Sequence, residues 1–499
     1  MMKTIVRLPH LNWLPKILLI GILMLCSLLG FASKNTVGLK NQKLNDTSVG
    51  SFIRQYLGDS NPVILLAYPK SVRRFYNTFG MEAAWVCQSN TRQTWQAMML
   101  LDCVLQYGLT PGDYHPRELL YDPLHTMIEE PARISNAKKA KFDILLTDAL
   151  IALMNNMHYG KLNPQYWTDL LDDGLLPSFH AESALLSARQ QVEFIRAIEM
   201  AQPHAIQYTA MQDKLRQLRG VYKEDCYETP ETEVTKIAIN MERLRWAAID
   251  SGLNIQVNIP SYTLTFVRPE TTFVFKVVVG KTTAPTPTLN SNITYLTTFP
   301  EWKIAQQIFV NQLLPKAKHD ADFFENNHYA VYDRLNNYIA INPKTLAAIE
   351  KNPNLYYARQ SFGCDNAMGQ LVFHFQNMYD IYLHDTPEQQ MFDNQERPLS
   401  HTCIRVEKAW QLAGLVIAYD GDQSKMILLK KAVDKKLTRN ISLRKPVPIK
   451  ITYLTCEVKE GQVINYKDIY DMDKSLEFAL YHNHETLTIK LSNKWKRFW

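Results

Sequence analysis

The spacing of apolar residues changes period once along the chain, and that change divides what it can fold into. Up to about residue 220 apolar positions recur at helical spacing, as in Ile144, Leu145, Ala149, Leu150, Ala152, Leu153 and Met157, until Tyr159-Gly160 stops the run. From Asn254 the period is two. Tyr262 to Val267 alternates apolar and polar residues, and Phe273 to Val279 follows a short polar turn. Strand character returns at Leu371 to Phe375 and at Ile381 to Leu383, with Gln376-Asn377-Met378 as the turn between them. The pattern predicts an α+β chain: an all-α scaffold domain, then a mainly antiparallel β domain.

A length of 499 residues leaves room for two or more domains. The helical scaffold is expected over 45–235 and the β-rich domain over 236–424. Within the latter, Trp302, Ile304, Ile308, Leu313 and Leu314 break the strand rhythm, so 300–358 reads as a helical insertion. Residues 425–499 are expected to pack on one of the two domains. The leucine and aromatic stripes of the first half read as core and carry no chemistry.

Lys3, Arg7 and Lys16 precede an apolar run from Ile17 to Ala32, the pattern of an export signal or, if retained, a membrane anchor over residues 1–35. The positive flank puts the rest of the chain outside the cytoplasm. A formal charge of +6 without blocks of like charge argues against a nucleic-acid partner. Cys87, Cys103, Cys226, Cys364, Cys403 and Cys456 show no C-x-x-C pair and no matching histidines, so no metal is expected. They read as mostly buried thiols, and Cys364 falls in a block near the expected cleft.

Two short blocks carry the chemistry: Tyr382-Leu383-His384-Asp385-Thr386-Pro387 and Ser400-His401-Thr402-Cys403-Ile404-Arg405-Val406. A cysteine attacks as its thiolate, and a nearby histidine is the usual way to make one. His384 lies at a strand end, where a scaffold can aim it, and a neutral imidazole can accept the thiol proton. Val406 to Ala418 has helical spacing, which places Cys403 just ahead of a helix N-terminus that would favour its anion.

These blocks resemble the signature of the L,D-transpeptidases, cysteine enzymes that cross-link bacterial peptidoglycan. The segment from Arg359-Gln360 through Asn366-Ala367-Met368-Gly369 and Phe373-His374-Phe375 resembles their large periplasmic branch, as do Arg397 and Ser400. So do Asn240-Met241-Glu242-Arg243-Leu244-Arg245-Trp246, Val277 to Lys281, Pro448 to Tyr453 and Asp468 to Asp473. Upstream, Phe75-Tyr76, Trp85, Tyr159-Gly160-Lys161 and Trp167 resemble its helical scaffold.

The resemblance implies acyl transfer through a Cys403 thioester, giving cross-links between third residues of adjacent stem peptides. It also implies that Asp385 orients His384, often through its main-chain carbonyl, and that the insertion caps the active site. His401 would polarise the site or bind substrate, and the amides of Thr402 and Cys403 would form the oxyanion hole. Ser400, Tyr382 and Arg405 would contact substrate, with a loop-bracing role for Arg405 equally open. No cofactor is implied. The partners would be donor and acceptor stem peptides, cell-wall synthesis proteins, and the membrane through the first segment, in the periplasm.

Three departures stand out. Thr402 replaces a glycine, which matters if that position needs positive φ or close approach to a ligand. Phe362 and Gln376 replace prolines. The short stretch Lys223 to Thr235 leaves no room for the peptidoglycan-binding module that large members often insert. The alternatives are an L,D-carboxypeptidase and, because of Thr402, a wall-binding protein without turnover.

Overall fold

The computed structural model describes residues 48–58, 64–87, 91–176, 178–221, 231–249, 252–269, 271–320, 322–361 and 366–481. The apolar run after Lys16, together with Cys226, Phe362, Cys364 and most of the stretch Lys223 to Thr235, lies outside them. Among the described residues no helix is long and apolar enough to cross a membrane. The architecture is α+β: helices to residue 247, then a large sheet with its own helices.

The scaffold is built around the helix Asn136–His158, whose residues from Phe142 to Met157 are all buried. Such a helix needs its polar side chains satisfied. Buried Asp143 accepts from the amides of Ala84 (2.8 Å), Trp85 (2.7 Å) and Val86 (2.9 Å). Buried Asp148 accepts from the amides of Ala67 (2.9 Å) and Tyr68 (2.8 Å) and pairs with His115 Nε2 at 2.7 Å. One buried helix thereby pins two irregular segments as well as the apolar core.

The helix Glu231–Ala247 joins this scaffold to the sheet, and its Asn-Met-Glu-Arg-Leu-Arg-Trp segment divides its polar groups between the two. Glu242 accepts from the Leu162 amide (2.7 Å) and Trp246 Nε1 (3.0 Å), and Arg245 pairs with it at 3.0 Å while donating to Tyr208 (2.9 Å). Asn240 exchanges hydrogen bonds with Thr455 at 3.0 and 2.8 Å, and Arg243 pairs with Asp473 at 2.6 Å. Gly160 has φ +91°, and a Cβ there would meet Trp246 and Glu242 within 2.8 Å.

The strands are β1 (Asn254–Asn258), β2 (Thr263–Val267), β3 (Thr272–Gly280) and β4 (Leu289–Thr298). An inserted unit follows, with β5 (Trp302–Lys303), β6 (Tyr329–Asp333), β7 (Tyr338–Ile339) and β8 (Tyr356–Gln360). Then come β9 (Leu371–Phe375), β10 (Leu383–His384), β11 (Pro398–Ser400), β12 (Ile404–Val406), β13 (Arg439–Thr452) and a hairpin of β14 (Cys456–Lys459) and β15 (Gln462–Asn465).

The main sheet has the order β11-β3-β12-β10-β9-β4-β13-β1-β2, and β2 also pairs with β3, so it closes on itself. Three neighbour pairs are parallel (β1 with β13, β10 with β12, β11 with β3), and the others are antiparallel. The core combines its inner face with Leu412, Ala413, Val416 and Ile417 of the helix Ala409–Asp420. The inserted unit has a separate core including Phe309, Phe324, Val331 and Ala358. Asn366 Nδ2 ties both its ends, donating to the carbonyls of Pro300 (3.1 Å) and Ser361 (3.0 Å).

Two expectations are corrected. The helix expected from Val406 begins at Ala409, because Val406 pairs with Val277 of β3 and Lys408 turns the chain at φ 54°. The chain beyond 424 does more than pack on a finished domain, since β13 lies between β4 and β1 inside the sheet.

The joint yields a stability prediction. Glu242 and Arg245 side chains are both fully buried, so Glu242→Ala strands a cation. It should cost about 3–5 kcal/mol, read as a lower urea midpoint. Glu193→Ala, which breaks an exposed pair with Arg196, should cost about 0–1 kcal/mol.

Candidate active site

The site begins with the pairing of two very short strands. In the parallel β10–β12 register Leu383 lies beside Ile404 and His384 beside Arg405, and the Ile404 amide donates to the Tyr382 carbonyl at 3.0 Å. Leu383 and Ile404 are fully buried in the sheet core. His384 and Arg405 alternate with them and face away from that core, and the same register sets Tyr382 beside Cys403, each one residue ahead of its strand. Cys403 is thus the diagonal neighbour of His384. The antiparallel register extends the row, bringing His374 of β9 and Tyr295 of β4 into line; their rings stack at 4.2 Å, and His374 meets Tyr382 edge-on at 5.0 Å.

His384 Nδ1 lies 2.6 Å from the Asp385 carbonyl oxygen. A carbonyl can only accept, so Nδ1 carries the hydrogen and Nε2 keeps its lone pair. Burial, reinforced by Arg405, pushes the imidazole down to about 3 despite the Asp385 and Met368 carbonyls. The Asp385 carboxylate is used elsewhere: Oδ2 accepts from the Gln370 amide at 3.1 Å. It is seated against Gly369 (φ +62°), where a Cβ would come within 2.8 Å of it. Main-chain orientation of the histidine by Asp385 is therefore what the geometry contains.

Cys403 is a half-buried free thiol. Burial pushes it up to about 11, against the opposing pull of the Tyr382 amide, the Thr402 hydroxyl and Arg405. It does not precede a helix: Ile404 to Val406 is strand, and the helix starts at Ala409. The expected helix dipole at the sulfur is absent.

Thr402 is not among the residues with positive φ, so its backbone does not demand glycine. Its carbonyl accepts from Thr286 Oγ1 at 2.8 Å. Among the described residues no acceptor takes the amide hydrogens of Thr402 or Cys403. His401 is half-buried, and burial with Lys281 and Arg405 holds it below the usual histidine range.

Two of the expected substrate contacts hold the local fold. Arg405 pairs with Glu388 and lies 2.7 Å from Met391 Sδ, bracing the loop ahead of β11. Ser400 is buried, and its carbonyl accepts from the Lys281 amide at 3.0 Å, so it anchors the strand end. Tyr382 remains beside Cys403.

Residues the sequence did not single out are Thr286, Tyr470, His374 and Tyr295. Burial pushes His374 down to about 4, and its Nε2 meets Thr297 Oγ1 at 2.9 Å, so it is a neutral, fixed part of the row. The threonine-rich connection Thr282 to Pro287 was the available signal for Thr286. Among the described residues no group of histidine, cysteine and acidic side chains could hold a metal ion.

A thiol next to a neutral, oriented imidazole, beside unpaired amides, is the arrangement a cysteine acyl-transfer site uses. Residues 254–434 match the family of L,D-transpeptidase catalytic domains, and residues 70–215 match the Scaffold domain family. The chain therefore carries an L,D-transpeptidase catalytic domain over 254–434, behind a Scaffold domain over 70–215. A Haemophilus influenzae protein named "Putative L,D-transpeptidase" is 30% identical over 291 residues, which cover 55% of this chain and 58% of that protein.

The neutral pair has a kinetic signature. With the thiol near 11, thiolate is scarce at neutral pH, so iodoacetamide alkylation of Cys403 should rise about tenfold per pH unit across roughly pH 6 to 9. A plateau below about pH 7 would instead reveal a preformed thiolate–imidazolium pair.

Proposed function

We propose that the protein is a peptidoglycan L,D-transpeptidase that joins the third residues of adjacent stem peptides. The observation that carries this reading is the β10–β12 register, which sets His384 diagonally across from Cys403 within the matched catalytic domain. Cys403 Sγ attacks the carbonyl of a donor stem peptide while His384 Nε2 takes the thiol proton. The amide C–N bond breaks, and the leaving D-amino acid receives that proton from His384. The acyl group rests as a thioester until an acceptor amine attacks, losing a proton to His384 and restoring the thiol. The free amides of Thr402 and Cys403 are suited to the tetrahedral oxyanion.

The ordinary backbone of Thr402 favours turnover over a binding-only role. Export to the periplasm belongs to the same reading and rests on the basic and apolar first segment. Stem peptides are the partners this chemistry requires.

The test incubates the protein with purified donor and acceptor stems. Cross-linked dimers are expected. Tripeptide alone would redefine it as a carboxypeptidase, and intact stems would reject acyl transfer. Intact mass should show a carbapenem adduct on wild type and none on Cys403→Ala. His384→Ala should slow its formation by about 10²–10⁴, and Thr402→Gly should change it by less than about tenfold.

A further inference from the structure

The carbonyl of Thr402 is held by a polar clamp that the proposed mechanism has not used. Thr286 is buried (1% exposed), and its single hydroxyl bridges two backbone segments. It donates to the Thr402 carbonyl at 2.8 Å and accepts from the Gly280 amide at 2.8 Å. Tyr470, from the segment after β15, closes the clamp. Its hydroxyl donates to the Gly280 carbonyl at 2.5 Å and accepts from the Thr286 amide at 3.2 Å. The tyrosine is itself fixed, stacked on Tyr453 at 5.5 Å.

Gly280 makes the fit possible. A Cβ there would lie 2.3 Å from both the His401 and Ala284 carbonyl oxygens and 2.7 Å from the Thr286 amide nitrogen. Only glycine lets β3 approach the backbone of the nucleophile this closely.

A trans peptide is planar, with its C=O and N–H pointing in opposite directions. Holding the Thr402 carbonyl toward Thr286 therefore fixes the Cys403 amide hydrogen on the far side, where no protein acceptor among the described residues takes it. We infer that Thr286, held by Tyr470, is a positioning residue that aims the Cys403 amide as an oxyanion donor. This rests on the proposed acyl transfer by Cys403.

An oxyanion donor matters when a carbonyl becomes tetrahedral, and it plays no part in displacement of iodide from iodoacetamide. Acylation by a carbapenem forms the S–C bond and opens the lactam C–N bond, whose nitrogen takes the thiol proton. Both reagents report on the same sulfur, so their ratio isolates the amide.

Thr286→Val, nearly the same shape without the hydroxyl, should lose about 10- to 100-fold in acylation rate while alkylation stays within about twofold. Thr286→Ser should stay near wild type, and Tyr470→Phe should show a smaller, equally selective loss that serves if Thr286→Val fails to fold. Acylation at the wild-type rate, or equal loss of both reactions, would overturn the assignment. The wild-type arm tests the reading beneath it. Wild type that is alkylated at Cys403 yet takes no acyl group overturns the proposed activity as well, whereas an unimpaired Thr286→Val overturns the positioning role alone.

Discussion

Everything proposed for this protein depends on the parallel pairing of β10 with β12, two strands of two and three residues. Such short strands hold their register because they lie inside a sheet that closes on itself, with β9 and β3 on either side. Leu383 and Ile404 fill the core, and a slip of one residue would turn the neighbouring polar side chains into it in their place. The apolar side thus places the reactive side.

Burial then sets the protonation states. A thiol pushed up to about 11 costs on the order of 5 kcal/mol to ionise at neutral pH. Burial holds the imidazole neutral as well, so in the resting site neither partner is charged. The site is accordingly arranged for proton transfer during attack rather than for a standing ion pair. That arrangement agrees with the hydrogen bond from His384 Nδ1 to the Asp385 carbonyl, which orients the ring without adding a negative charge beside it.

Much of this was legible in the sequence, and the misses have physical causes. The change of apolar period located both domains, and His384 does end a strand. The helix at Cys403 was misplaced because Ala409, Trp410, Ala413 and Val416 keep helical spacing, while the strand preceding them is set by pairing with β3 and β10, which local spacing does not record. β13 was hidden by Pro446 and Pro448; Pro446 falls in the register shift between Ser442 and Val447, while Pro448 pairs with Asn292 of β4. Thr286 and Tyr470 act across 116 and 190 residues of separation, so the threonine-rich connection marks Thr286 without its partners and nothing local marks Tyr470. Arg405 left two roles open, and its pair with Glu388 supplies the loop-bracing one.

The most direct measurement is nitrogen NMR of the His384 ring in the resting protein. The account predicts a neutral ring with its hydrogen on Nδ1 from about pH 5 to 8, unchanged in Cys403→Ala. An imidazolium signal near neutral pH that disappears in Cys403→Ala would show a charged pair and contradict it.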